Sequence, residues 1–145
     1  MTHQKPLPQT SNPSIINYQL SIINYLPLLV LLLAAGLRLY HLPSLPPGLN
    51  FDEAGNGVAA LDILDGHPQV WWRIGGGKEP LWPYLVALST AVLGPSPLAL
   101  RLPAALFGIL TVAAVYPLTL ALFRRRYLAL LAMLGLALSD WHLHF

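Results

Sequence analysis

Two adjacent carboxylates, Asp52 and Glu53, stand in the stretch GLNFDEAGNGVAALDILDG, residues 48–66, of a chain otherwise rich in leucine. Paired carboxylates are candidates for acid–base catalysis. The same pair also fits a helix start, because Asn50 and Glu53 have the spacing of a capping box and Asp52 would sit in the first turn, where the helix dipole favours a negative charge. The residues alone leave both interpretations open.

The other side chains that could do chemistry lie further along the chain. Lys78 and Arg73 are the two bases of the connection 41–97, which also contains the acidic pair. Asp140 lies near the end of the last apolar run, and ionisable residues at membrane depth tend to face a cavity or a partner, so it is a candidate site residue. His142 and His144 stand at positions i and i+2, whereas a helix presents metal ligands at i and i+4, so no metal site is predicted.

The composition indicates an integral membrane protein. Of the 145 residues, 55% are hydrophobic and 10% are charged, against about 25% charged in soluble domains. The apolar residues come in long runs without alternation, which indicates transmembrane helices and not barrel strands. The net charge is only +2 and no basic stripe is interleaved with aromatics, so nucleic-acid binding is not predicted. The absence of cysteine excludes disulfides and thiolate chemistry.

The first transmembrane helix is predicted over residues 22–40. Residues 1–21, which include the repeated heptapeptides SIINYQL and SIINYLP, are predicted to be a disordered tail. Arg38 and Tyr40 are placed to snorkel and to anchor the helix at the far interface. The rival interpretation, a cleaved signal peptide, is disfavoured because no small-residue cleavage site follows.

Residues 41–97 are predicted to form a long loop with two interfacial helices. The first covers about 52–65 and is amphipathic, with an apolar stripe. The second covers about 80–94, and its apolar part of about 14 residues is short for a span, which needs about 20. The alternative that 80–94 crosses the membrane stays open. The stripe on the first helix comprises Ala54, Val58, Leu61 and Leu64.

The three consecutive arginines after the next apolar run set the expected orientation. Residues 98–123 are long enough for a second span, and residues 124–127 form the turn that follows it. The positive-inside rule places this turn in the cytoplasm and the loop 41–97 outside, provided that 80–94 does not cross. Residues 128–145 are then the start of a third span, and the chain is expected to be an amino-terminal fragment of a larger protein.

Four stretches in this order carry a family resemblance: NFDEAGNGVAALDILDG, KEPLWPYLVALSTAVLG, PLALRLPAALFGILTVAAVYPLTLALFRRR and LALLAMLGLALSDWHLHF. Together they resemble the opening of the polytopic GT-C glycosyltransferases, in the branch of protein O-mannosyltransferases and lipid A aminoarabinose transferases. The resemblance covers about 22–145. Its most specific element is the Asp-Glu pair after the first span.

The resemblance implies a function and roles for the site residues. The protein would transfer a sugar from a polyprenyl-phosphate donor to an acceptor hydroxyl with inversion, outside the cytoplasm. No cofactor is predicted. Asp52 would be the base, and Glu53 would orient the site or cap the helix. Lys78 and Arg73 would stabilise the departing phosphate. Asp140, where members of the branch often have proline, is predicted to contact substrate from its position in the span and not from the resemblance. The alternative is a non-enzymatic segment of a transporter or membrane scaffold, in which the acidic surface helix binds a partner.

Overall fold

The computed structural model describes residues 13–73 and 77–139, with side chains from residue 24 onwards, and this part of the chain is helical. Its only β feature is an isolated bridge between Trp72 and Lys78. The prediction of an all-α protein is therefore confirmed. The helices are α1 (Pro13–Leu39), α2 (Phe51–Leu64), α3 (Leu81–Leu93), α4 (Pro97–Phe123) and α5 (Arg126–Ala137).

Helices α1, α4 and α5 form an up–down bundle. At one end Arg126 of α5 donates a hydrogen bond to Asn24 Oδ1 of α1 at 3.2 Å, and at the other end Arg38 of α1 donates to Ala137 O of α5 at 3.5 Å. Helices α1 and α5 therefore run parallel, with α4 antiparallel to both. Small residues let helix backbones approach closely, which suits a bundle in a membrane. The buried centre comprises Ala34, Val112, Met133 and Ala137.

Helices α2 and α3 pack against each other and against the first turns of α4. The inner face of α2 is made of small residues, with Ala59 and Ala60 fully buried, and α3 contributes Val86 and Ala87. The predicted apolar stripe of α2 lies on the opposite, exposed side, where Val58 is 50% exposed. Helix α2 thus packs on α3 through small residues and exposes its larger apolar side chains. Such a helix is suited to lying on a membrane surface.

The start and the stop of α2 follow local signals in the sequence. The helix begins after Asn50, which caps it, and ends at Leu64. Gly66 then adopts φ +86°, a conformation that other residues rarely take. The predicted end of this helix at Gly66 is thus confirmed to within a residue or two.

Among the described residues, one helix is long and apolar enough to cross a membrane, namely α4. The apolar helical segments Asn24–Leu39, Leu81–Leu93 and Arg126–Ala137 are shorter. Helix α1 begins at Pro13, so residues 13–21, which the sequence placed in a disordered tail, are helical. A proline in the first turn costs no hydrogen bond, which explains the start at that residue. Spans over 22–40 and from 128 onwards stay predictions.

Candidate functional site

A cavity of about 440 Å³ lies where α1, α2, α3 and α4 meet. This size falls within the roughly 300–1,000 Å³ of typical ligand sites. Its charged lining residues are Arg38, Asp52, Glu53 and Arg101, and apolar side chains, including Trp82 and Phe107, form much of the rest. The sequence-predicted acidic pair therefore opens onto the cavity.

Glu53 holds the start of α2 in place. Its backbone amide donates to Asn50 Oδ1 at 2.7 Å, and its Oε2 accepts from the Asn50 amide at 3.1 Å. The predicted capping box is confirmed. Glu53 Oε1 also accepts from Arg101 Nε at 2.9 Å. Both carboxylate oxygens of Glu53 are thus occupied by structural contacts.

Arg101, which the sequence analysis did not assign to the site, organises the loop between α1 and α2. Its Nη1 donates to Leu42 O at 3.2 Å and to Leu45 O at 3.0 Å. Its Nη2 donates to Pro46 O at 3.0 Å, and also to Gly48 O and Glu53 Oε2. All three guanidinium nitrogens are therefore used. An arginine early in an apolar span was the available signal, but nothing local connected it with a glutamate 48 positions earlier.

Asp52 differs from Glu53 in both exposure and partner. Lys78 Nζ lies 3.2 Å from Asp52 Oδ1, and the Asp52 side chain is 77% exposed. The same ammonium donates to the Asp52 backbone carbonyl at 3.3 Å. Within the described residues, Oδ2 of Asp52 accepts no hydrogen bond, so the carboxylate keeps a free oxygen at the cavity. The structure thus brings together two of the sequence-predicted site residues.

Lys78 is positioned by its own backbone. Its amide donates to Trp72 O at 2.8 Å, and its carbonyl accepts from the Trp72 amide at 3.3 Å. Trp72 is buried and lies edge-on to Tyr84 of α3, with ring centroids 5.9 Å apart. Because Trp72 packs on α3, the bridge between Trp72 and Lys78 holds the Lys78 ammonium beside the first turn of α2.

The remaining predicted site residues are not brought into this cluster. Arg73 is exposed and does not line the cavity. Asp140 lies outside the described residues, as do His142 and His144. The substrate contacts of Arg73 and Asp140 therefore stay predictions. The same holds for the absence of a metal site at His142 and His144.

The prediction that Arg38 snorkels to the interface is wrong. Arg38 is 5% exposed and lines the cavity. Its Nη1 donates to Ala34 O at 3.2 Å, and its Nη2 donates to Leu136 O at 3.4 Å. The carbonyls at the end of α5 draw the guanidinium into the bundle, because the last carbonyls of a helix lack internal donors.

A second, apolar groove of about 320 Å³ lies between α3 and α4. It is lined by Leu85, Leu88 and Val92 of α3 and by Leu102 and Leu106 of α4. Phe107 lines both the groove and the cavity. The polar cavity and the apolar groove therefore adjoin at one side chain.

The chain was compared with family models, curated proteins and solved structures. Residues 77–142, somewhat less than half of the chain, match the family model of dolichyl-phosphate-mannose-protein mannosyltransferase. No curated protein and no solved structure matches the chain. The matched range contains Lys78 and Arg101, and it begins after the acidic pair. The match supports a membrane glycosyltransferase in general terms. The resemblance seen in the sequence is thus confirmed over residues 77–142, which carry the pattern of the dolichyl-phosphate-mannose-protein mannosyltransferase family.

Proposed function

We propose that the chain provides the acceptor-activating part of a membrane glycosyltransferase, which moves a sugar from a polyprenyl-phosphate donor to an acceptor hydroxyl with inversion. The proposal rests on one observation, namely that the two acidic residues differ in their contacts and in their exposure. Glu53 is occupied by the helix cap and by Arg101, while Asp52 presents a largely exposed carboxylate at the mouth of the cavity. Asp52 is the base.

The step is a single displacement at the anomeric carbon. Asp52 removes the proton of the acceptor hydroxyl while the hydroxyl oxygen forms a bond to the anomeric carbon. The bond from that carbon to the phosphate oxygen breaks on the opposite face, and polyprenyl phosphate leaves with the electron pair. Because attack and departure occur on opposite faces, the configuration inverts. A positioned base contributes about 10²–10⁴-fold to such a step.

Lys78 contributes positive charge beside the reacting groups. Its ammonium lies 3.2 Å from Asp52 Oδ1 at the start of α2. We also propose, from the resemblance, that Lys78 helps to stabilise the negative charge that develops on the departing phosphate. Arg73 is a second candidate for this role and is exposed on the same connection. Asp140 is proposed to contact substrate because ionisable residues at membrane depth tend to face a cavity or a partner.

The membrane arrangement follows from α4. Arg101 near its start belongs to the cavity, and Arg124 lies just past its end. The helix between them rises about 35 Å at 1.5 Å per residue, which matches a hydrocarbon core of about 30 Å. We therefore propose that the cavity and the arginines 124–126 lie at opposite membrane faces. We place the arginines in the cytoplasm, α1, α4 and α5 across a multi-pass fold, and α2 and α3 on the outer surface.

The test compares carboxylate variants of the protein in proteoliposomes supplied with polyprenyl-phosphate mannose and a hydroxyl acceptor. Asp52→Asn is expected to lower transfer by about 10²-fold or more, with unchanged membrane insertion. Asp65→Asn is the matched control, since Asp65 is an exposed acid at the other end of α2. Transfer by Asp52→Asn at the rate of the control would refute the base.

A further inference from the structure

Arg38 is a buried cation at the cavity without a carboxylate partner among residues 24–73 and 77–139. Its contacts are the backbone oxygens of Ala34, Leu136 and Ala137, at 3.2–3.5 Å. Its Nε is buried and donates to no acceptor among these residues. An unpaired charge that has been removed from water is costly, and helix-end carbonyls compensate it only in part.

The other charges of the site are already paired. Arg101 binds Glu53, and Lys78 binds Asp52. The carboxylates of the described residues that line the cavity therefore have cations of their own. An anionic ligand would supply the negative partner that Arg38 lacks among the described residues.

Gly108 of α4 makes room for this guanidinium. A Cβ at that position would lie 2.8 Å from Arg38 Nε and 3.1 Å from its Cδ. Any larger residue would have to displace the arginine. The absence of a side chain at this point leaves the space that the Arg38 side chain occupies beside α4.

We propose that Arg38 binds the phosphate group of the donor, an inference that rests on the proposed function and names the residue that holds its leaving group. Guanidinium is suited to phosphate because its planar donors match two oxygens at once. Arg38 lies in the last turn of α1, toward the outer end of the bundle in the proposed topology. Gly108 lies about 10 Å beyond Arg101 along α4, so the two arginines serve separate ends of the cavity.

The apolar groove supports a lipid phosphate over a free one. Phe107 lines the cavity that holds Arg38 and also the groove between α3 and α4. A phosphate on Arg38 would let an attached isoprenoid chain pass Phe107 and continue along leucine and valine side chains. A ligand with an anionic head and an apolar tail fits the two adjoining surfaces better than inorganic phosphate, which would leave the groove uncovered.

The experiment is a binding titration of the detergent-solubilised protein, followed by native mass spectrometry. The probes are a polyprenyl phosphate, the corresponding polyprenol and inorganic phosphate. Arg38→Gln is expected to weaken polyprenyl-phosphate binding about tenfold or more, since bonds to a charged group are lost. Arg38→Lys should weaken it less. Arg125→Gln, an exposed arginine at the other end of α4, is the matched control and should bind as the unmodified protein does.

Gly108→Ala keeps the charge but shifts the guanidinium, so it should weaken polyprenyl-phosphate binding even if Arg38→Gln fails to fold. Equal binding of polyprenol and polyprenyl phosphate would overturn the phosphate site. Inorganic phosphate bound as tightly as the lipid would assign the site to free phosphate and overturn the donor. Failure of the unmodified protein to bind polyprenyl phosphate would instead reject the proposed function. Unchanged affinity in a folded Arg38→Gln protein would reject the role of Arg38 alone.

Asp140 provides one more discriminating variant, since it follows Ala137 closely in the sequence and lies outside the described residues. Arg38→Gln and Asp140→Asn could lower the melting temperature equally while both retain phosphate affinity. That result would make Asp140 the internal partner of Arg38 and overturn the proposal.

Discussion

Arg101 Nε lies 2.9 Å from Glu53 Oε1 and joins α4 to the first turn of α2. The arginine is 5% exposed, and the glutamate side chain is 21% exposed. The pair is reinforced by the backbone carbonyls of the loop before α2, which the same guanidinium binds. This contact places Asp52, the neighbour of Glu53, at the cavity without using its carboxylate.

Removal of the Arg101 side chain should destabilise the protein. Arg101→Met leaves Glu53 and several carbonyls without their donor, and breaking a buried ion pair costs about 3–5 kcal/mol. Glu53→Gln, which retains an oxygen for the helix cap, should cost less, about 1–3 kcal/mol. Equilibrium unfolding in mixed micelles measures both, and the double variant should be less destabilised than the sum of the two. Strict additivity would show that the pair is not energetically coupled.

Lys78 should matter for sugar transfer more than for folding. Lys78→Met removes the ammonium at 3.2 Å from Asp52, so transfer should fall about tenfold or more, in line with loss of an electrostatic stabiliser. Lys78→Arg keeps the charge and should retain part of the activity. Glu79→Gln is the matched control because it changes an exposed neighbouring charge. An activity of Lys78→Met equal to that of the control would remove Lys78 from the site.

The tight contact between α2 and α3 should tolerate no larger side chain. Ala60 is fully buried against Val86 and Ala87, so Ala60→Leu forces the helices apart and should cost about 1–3 kcal/mol. Ala54→Leu changes the exposed face of the same helix and should be nearly neutral. The melting temperatures of the two variants give the comparison. Equal melting temperatures would mean that α2 does not pack on α3 through this face.

The local features of the site could be predicted from the sequence. The cap of α2 depends on Asn50 and Glu53, which are three positions apart, and the end of α2 depends on Gly66. Such signals act through the backbone within one turn, so short stretches contain them in full.

The long-range contacts could not be predicted in the same way. Arg101 meets Glu53 across 48 positions, and Arg38 meets Leu136 across 98. Hydropathy places an arginine near the end of an apolar run but does not say which neighbour its side chain faces. For Arg38, its position near the end of an apolar run predicted a charge at the membrane interface. The bundle instead provides helix-end carbonyls and the space over Gly108.

The orientation of the chain can be tested with introduced cysteines, because the sequence has none of its own. The exposed residues Val70, Pro95 and Tyr127 precede α3, precede α4 and follow α4. If α3 lies on the outer surface and α4 crosses, Val70→Cys and Pro95→Cys should react with an impermeant maleimide from outside, and Tyr127→Cys only after permeabilisation. Labelling of positions 70 and 95 from opposite sides would make α3 a span. It would also put the three arginines on the same side as Asp52, and the extracytoplasmic site would then conflict with the positive-inside rule.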